Sequence, residues 1–467
     1  MAAPKLGPQL NVTLIKVGIT AAAAGSSRAF LDRMAEAASN WLFQTGRGQA
    51  PVRPRYFRAY GEVVERLRGL ARRYPHLVRI TDIGDSSEKR RGLVDRDIVL
   101  VTLTSPRRSN KPKPVVTFIG GAHPNEIANP ELLLRWMEQL LAGYGTDPEA
   151  TALLDSREID LLPMANPDGR DSVVRAYNGR ADGDLMQRTN TSPPHGTNIN
   201  RNYDFRWGGN SGSSKDPTHV DYAGVVAGSE PETQAIAAYL RARKPGMLID
   251  WHSMGQMNIY PWGDTHDAAP HRDALRAIAQ QFSRRNGYYT LQGVDMYPVN
   301  GSVVDWAYGS QGIPAFTIET GLWFHQSDVE VADNFRRNAG VMAYAANIAD
   351  APYERAQGPQ VVELAPTLRQ GHVGDVVTPT GAGRIVAAEV VLDPSTPPGS
   401  GVALQAEDGS FDDSRERVLV PRLDAQLLAE LAGTAVIRDT GVGARRALYV
   451  RARDDSGRWG PFAATRA

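Results

Sequence analysis

Between Tyr60 and Ala349 short β-rich runs alternate with stretches of helical spacing, and this alternation restricts the possible folds more than any other feature of the chain. Glu62–Arg73 places Val63, Val64, Leu67, Leu70 and Ala71 on one helical face and stops at Tyr74-Pro75. Asp97–Thr104 and Pro114–Ile119 read as strands, the second nearly continuous in apolar residues, as a strand buried on both faces would be. Pro130–Leu141 is helical, Glu158–Met164 a strand, and Ser229–Arg243 a helix opened by the capping box Ser229-x-x-Glu232. Met247–Asp250 and Ala315–Glu319 are short apolar strands, and Asp333–Ala349 a closing helix. Strand and helix in turn over about 290 residues predict an α/β domain, a mixed, mostly parallel sheet flanked by helices.

The composition supports such a core: 42% of the 467 residues are hydrophobic and 7% aromatic. Lys+Arg and Asp+Glu both number 52, so no whole-protein field draws nucleic acid or an anionic membrane, and neither is expected as a partner. No apolar run approaches the ~18 residues of a membrane-spanning helix. Lys16 interrupts the apolar stretch between Leu10 and Ala24, so no clear signal peptide is read there. Residues 1–54 form an arm of unreadable role, with a helical stretch at Ser27–Leu42 and a Gly/Arg/Pro-rich break at Thr45–Pro54. Residues 55–350 carry the α/β pattern. From 351 to 467 strands shorten, Leu448, Val450 and Ala452 alternate with Tyr449, Arg451 and Arg453, and turns recur at Asp408-Gly409 and Ser456-Gly457, which predicts a small all-β sandwich. The chain has no cysteine, so disulfides, thiolate zinc ligands and thiol nucleophiles are excluded. Any metal must sit on His, Asp or Glu.

The chemistry-bearing residues cluster where apolar strands end. Gly120-Gly121-Ala122-His123-Pro124-Asn125-Glu126 follows the buried strand, and ligands of open α/β sheets bind at the carboxyl ends of strands. His-x-x-Glu on one turn supplies two ligands of a catalytic zinc, and Asp250-Trp251-His252-Ser253 delivers a second histidine at another strand end. Each piece alone suits a buried or capping residue better, and the case rests on two such strands ending in ligand-type residues. Glu319, closing a third strand, is placed to take a proton from water. Arg201, beside Asn200, has the fork geometry that grips a carboxylate.

The ordered set His123-x-x-Glu126, Asn166-Pro167-Asp168-Gly169, Asn200-Arg201-Asn202-Tyr203, Ser229-Glu230-Pro231-Glu232, His252-Ser253 with Tyr260-Pro261-Trp262-Gly263, Tyr297…Asp305-Trp306 and Phe316-Thr317-Ile318-Glu319 resembles the M14 zinc carboxypeptidases of the carboxypeptidase A/T type, from about Tyr56 to Ala349. The resemblance implies one zinc per chain on His123, Glu126 and His252, and Glu319 as general base. It implies Asn200 and Arg201 as the pair that binds a substrate's terminal carboxylate, and Tyr297, nine residues before Trp306, as a capping tyrosine. Arg188, in Gln187-Arg188-Thr189-Asn190, is similar in position to the arginine that stabilises the oxyanion, though an arginine of a solvated loop would read the same. Val304 is implied to set the side-chain pocket, favouring hydrophobic C-terminal residues, while Asp295 could add tolerance for a basic one.

Three departures stand out. Asn125 occupies a position often held by Arg, Asn198 one usually held by an Asp that supports a zinc histidine, and Met254 one often aromatic. An amide oxygen still accepts an imidazole N–H but raises the ligand's basicity less. The remaining histidines, His76, His195, His219, His266, His271, His325 and His372, are expected on loops and helix surfaces. Leu448–Pro461 resembles the immunoglobulin-like or fibronectin-like modules of secreted bacterial hydrolases, and acts either as a cap on the catalytic domain or as a binding module. The implied protein is an extracellular, monomeric metallocarboxypeptidase acting on peptides or proteins. A peptidoglycan-peptide-cleaving relative with the same zinc site, or an inactive binding protein on the same fold, stays open as an alternative.

Overall fold

The five strands read between Asp97 and Glu319 join three others in one eight-stranded sheet in a computed structural model that describes residues 53–107, 112–209, 212–367, 371–379, 381, 383–421 and 447–466. The helix expected at Ser27–Leu42 lies outside the described residues. The chain runs through α1 (Tyr60–Arg73), β1 (Val78–Asp85), α2 (Ser87–Arg90), β2 (Asp97–Leu103), β3 (Val115–Gly120), α3 (Asn129–Gly143), α4 (Pro148–Ser156), β4 (Glu158–Leu162) and α5 (Pro167–Tyr177). It continues through α6 (Pro231–Arg243), β5 (Met247–His252), β6 (Met257–Tyr260), α7 (Arg272–Asn286), β7 (Tyr289–Gln292), α8 (Gly293–Met296), α9 (Val303–Gln311), β8 (Ala315–Glu319) and α10 (Asp328–Ile348).

The sheet order is β1-β2-β4-β3-β5-β8-β6-β7. Strands β4, β3, β5 and β8 are parallel neighbours, while β1, β2 and β6 pair antiparallel at the flanks. This is the expected mixed, mostly parallel α/β sheet. All six residues of β5 are buried, and Phe118 and Phe316 on its neighbours are fully buried. Their rings meet the covering helices edge to face, Phe118 on Trp136 at 5.1 Å and Phe316 on Phe282 at 5.3 Å. Register does the rest: Gly120 lies opposite Trp251, and His252 opposite Glu319, so the carboxyl ends of β3, β5 and β8 finish side by side.

The capping box expected at Ser229 does not form. α6 starts at Pro231, whose missing N–H is no loss in the first helical turn, and Glu232 is buried with its carboxylate on Ser87 N (2.7 Å) and Asn190 Nδ2 (3.0 Å). Long-range partners outbid the local cap.

Beyond α11 (Pro352–Gln357) come β9 (Gln360–Thr367), β10 (Gly371–Val377), β11 (Ile385–Val391), β12 (Val402–Ala403), β13 (Gln405–Ala406), β14 (Arg415–Val420), β15 (Ala447–Asp454) and β16 (Ala463–Arg466). They make two four-stranded antiparallel sheets, β13-β14-β10-β9 and β12-β11-β15-β16. The alternation in β15 sends Leu448, Val450 and Ala452 between the sheets and Tyr449 the other way, where it joins Val391 and Phe462 in the core that begins at the α/β sheet. Asn347 Nδ2 donates to Phe462 O at 2.8 Å, and Arg107 pairs with Asp393 at 3.1 Å. Among the described residues no helix is long and apolar enough to cross a membrane.

Candidate active site

The loop after β3 turns at Gly121, where φ is +69° and a Cβ would sit 3.2 Å from Pro163 O, so a glycine fits and a side chain does not. The turn that follows brings His123 Nδ1 to 2.8 Å from Glu126 Oε1. The end of β5 adds His252, whose Nδ1 lies 3.1 Å from His123 Nδ1 and 3.0 Å from Glu126 Oε2. All three side chains are buried. Two ligand atoms of a tetrahedral zinc with bonds of ~2.0–2.1 Å stand about 3.3 Å apart, and the separations here, taken to one or the other Glu126 oxygen, are 2.8 to 3.1 Å, somewhat inside that edge. The donor set, two imidazoles and one carboxylate, therefore fits zinc.

The outer nitrogens of both rings are held. His123 Nε2 donates to Asn198 Oδ1 at 3.1 Å, as the neutral amide was expected to allow, and His252 Nε2 donates to Asp250 Oδ2 at 2.6 Å. Both acceptors fix the Nε2–H tautomer and leave the two Nδ1 lone pairs facing each other and Glu126. Asp250 escaped the sequence reading, although positions i and i+2 of a strand share a face and Asp250-x-His252 is such a pair. Burial, then the Arg188 charge, pull the His123 imidazole down to about 3. Glu126 stays well below the usual carboxylate range: burial opposes this, but His123 and His252 outweigh it.

Glu319 enters from β8, buried, with Oε2 lacking a hydrogen-bond partner among the described residues. Burial, reinforced by Glu126, pushes its carboxyl up to about 8. Arg188 does not lie on a solvated loop. Asn125 N donates to the neighbouring Gln187 O (2.9 Å), and the guanidinium reaches Glu126 Oε1 and Asp221 Oδ1, both at 3.3 Å. Asn200 and Arg201 occupy a single 3-10 turn, Ile199–Arg201. Arg201 is buried and fixed by Gly212 O (2.7 Å) and Asn200 O (2.8 Å), and Asn200 Oδ1 accepts from Val303 N (2.9 Å) at the start of α9.

His123, His252, Glu319, Arg188, Asn200, Arg201, Tyr297 and Val304 all border one cleft, whose apolar side includes Ile259, Met296 and Val299. Glu126 sits directly behind it. Asp295 is not among the lining residues; its half-exposed side chain lies 3.4 Å from His266. Besides Glu319, the carboxyl that lines the cleft is that of Asp305, which accepts from Gly263 N at 2.9 Å and which burial pushes up to about 7. His325 lies on the loop between β8 and α10, as expected, but is not simply exposed there. It is half-buried, accepts from Tyr177 OH at 2.6 Å and donates to Leu185 O at 2.8 Å, because the segment after β8 folds inward against α5.

The zinc carboxypeptidase (peptidase M14) family model matches residues 63–328. A zinc carboxypeptidase of Saccharothrix mutabilis subsp. capreolus is 28% identical over 296 residues, covering 60% of this chain and 66% of its own length. Zinc carboxypeptidase A 1 of Anopheles gambiae is 31% identical over 263 residues (54% and 56%), and carboxypeptidase A4 of Mus musculus 30% over 264 residues (54% and 59%). The chain thus spans between about half and two-thirds of the length of these curated relatives. In fold it resembles thrombin activatable fibrinolysis inhibitor (TM-score 0.57, 22% identity, 63% of this chain and 74% of that one) and the carboxypeptidase A of Helicoverpa armigera (TM-score 0.54, 24% identity, 63% and 74%). The matched segment opens inside α1, closes at the first residue of α10 and encloses the whole cleft, so the chain belongs to the zinc carboxypeptidase family M14, whose members are hydrolases.

Proposed function

We propose that this chain is a zinc-dependent metallocarboxypeptidase that hydrolyses the C-terminal peptide bond of peptides or proteins. The observation that carries this reading is a single cleft in which the His123, Glu126 and His252 donor set lies beside Glu319 and is bordered by the anchored guanidinium of Arg201. His123, Glu126 and His252 would hold one zinc per chain, which when bound would supply Lewis-acid activation of water and of the scissile carbonyl. Glu319 takes the proton of the attacking water at its free Oε2 and passes it to the departing amine. Arg188 offers N–H donors to the oxyanion.

Arg201, with Nε and one Nη committed to protein carbonyls, keeps N–H groups for a substrate's terminal carboxylate, and Asn200 assists. Tyr297 closes over the bound residue, and Val304 with Ile259 and Met296 receives its side chain, which favours Phe, Leu and similar residues. The same reading makes the enzyme extracellular and monomeric, without nucleic-acid or membrane partners, and makes residues 351–467 a cap on the catalytic domain of residues 55–350.

Metal analysis and peptide hydrolysis test it together. The protein should carry one zinc, lose activity on chelation, and lose zinc in His252→Ala. Amidating a peptide's C-terminus removes the charge that Arg201 pairs with, at a cost of ~3–5 kcal/mol, so kcat/KM should fall roughly 10²–10³-fold or more. Val304→Asp should shift preference towards Lys and Arg. Equal cleavage of amidated and free-acid peptides would mean an endopeptidase.

A further inference from the structure

Asp221 lies outside every motif read from the sequence, yet one of its oxygens meets two groups of the cleft and the amide that supports His123. Oδ1 lies 3.0 Å from Asn198 Nδ2, 3.3 Å from Arg188 Nε and 3.5 Å from Arg201 Nη2. The loop that carries it is tied down on both sides. Asp221 N donates to His219 Nδ1 at 3.0 Å, Ser214 N donates to Asp221 O at 2.8 Å, and Asn198 N donates to Tyr222 O at 2.8 Å. Burial works against the carboxylate, but Arg201 and Arg188 keep it ionised, well below the ordinary range.

An asparagine amide has a donor end and an acceptor end of nearly the same shape, so something outside it must choose which end faces a neighbour. At Asn198 the choice decides whether His123 can be a ligand. With Oδ1 towards the ring, Nε2 carries the proton and the Nδ1 lone pair points at Glu126 and His252. With the amide turned over, Nε2 would have to accept, and the proton would move to Nδ1, where it blocks coordination. Asn200 N, donating to Oδ1 at 3.0 Å, and Val220 O, 3.4 Å from Nδ2, favour the first arrangement, and the anion at the far end, which only Nδ2 can face, adds the charge that holds it. The same oxygen holds two guanidiniums that would otherwise repel each other across the cleft.

We propose that Asp221 is a positioning residue: through the Asn198 amide it sets the His123 tautomer that binds metal, and through direct ion pairs it orients Arg188 and Arg201. The proposal rests on the metallocarboxypeptidase reading. It predicts that the charge of Asp221, more than its shape, controls metal affinity, and that the charge can be moved one residue inward to Asn198 without losing that function.

The test compares full-length wild type, Asp221→Asn, and the double variant Asn198→Asp with Asp221→Asn. Zinc affinity is read by competition with a chromogenic chelator, and kinetics at saturating zinc use a free-acid peptide. Loss of a group that orients a ligand typically costs 10–100-fold in metal affinity, so Asp221→Asn should weaken zinc binding by at least ~10-fold and also raise KM. The double variant should bring zinc affinity back to within about threefold of wild type, since a carboxylate then accepts directly from His123 Nε2. Its KM should stay raised, because the carboxylate has left Arg201. Unchanged zinc affinity in Asp221→Asn would overturn the proposal, as would a double variant that binds zinc no better than the single one. If Asp221→Asn does not fold, the double variant decides alone: near wild-type affinity with raised KM supports the proposal, and weakened affinity overturns it. A His252→Ala variant that keeps its zinc would instead sink the metallocarboxypeptidase reading.

Discussion

Two buried carboxyls in the cleft, Glu319 and Asp305, are both raised by burial, and their environments give them different work. Glu319 has an oxygen with no hydrogen bond, lies opposite His252 in the sheet, and is proposed as the base. Glu319→Gln should keep zinc and substrate binding and lower kcat by at least ~10²-fold, the usual size of a general-base contribution. Near wild-type turnover would place the base elsewhere. Asp305 is bound to Gly263 N and reports on stability instead. Its unfolded carboxyl ionises near pH 4, while the folded one holds its proton to about 7, so the folded state binds the extra proton between these values. Stability should therefore decline as pH rises from about 4 to about 7 and level off above, by up to roughly 3–4 kcal/mol from this group. Asp305→Asn, whose amide oxygen can still accept from Gly263 N, should flatten that slope in urea unfolding curves taken across the range. An identical slope would mean that Asp305 ionises normally in the fold.

Elements carry these groups into place, and the turn before α9 is a sensitive one. Gly301 has φ +67°, accepts from Tyr203 N, and a Cβ there would fall 2.4 Å from Arg201 O, a backbone atom that cannot swing aside. Gly301→Ala should cost about 1–3 kcal/mol in thermal or chemical unfolding and raise KM for free-acid peptides by displacing Arg201. Wild-type KM in a destabilised variant would uncouple the turn from substrate binding. How far each element could be read from sequence follows its burial. The runs at Pro114–Ile119 and Ala315–Glu319 lie within one residue of β3 and β8, because strands buried on both faces show as unbroken apolar runs. β1 is an edge strand with only Val78 buried, so no alternation marks it. α5 begins inside Asn166-Pro167-Asp168-Gly169, which by composition is a turn. Gly169 joins the helix with its N–H capped by Asn166 Oδ1, and it is glycine because a Cβ would strike Pro124 and Thr189 O, contacts that no local pattern encodes. Likewise His123, His252 and Glu319 were legible as strand-end residues, whereas Asp221 acquires its partners only when the 3-10 turn and the Arg188 loop fold against it.

In the whole molecule the β-sandwich and the α/β unit share one continuous buried core through Val391, Tyr449 and Phe462. Phe462 also faces the buried Arg157 guanidinium at 5.9 Å, and its carbonyl receives Asn347 Nδ2. Calorimetry should accordingly find a single unfolding transition, and Phe462→Ala, at a typical cost of ~3–5 kcal/mol, should lower it as a whole. Two transitions, of which the substitution moves only one, would show that the units unfold separately. The side-by-side ends of β3, β5 and β8 have a further consequence. Of the proposed reacting groups, His252 and Glu319 end adjacent strands and His123 and Glu126 sit in the buried turn just after β3, whereas Arg188, Arg201 and Tyr297 hang from longer connecting segments. On the proposed function, changes in those segments would redirect which chain ends are accepted while leaving the bond-breaking atoms where they are. A lineage built on this scaffold can therefore drift in diet without relearning its chemistry.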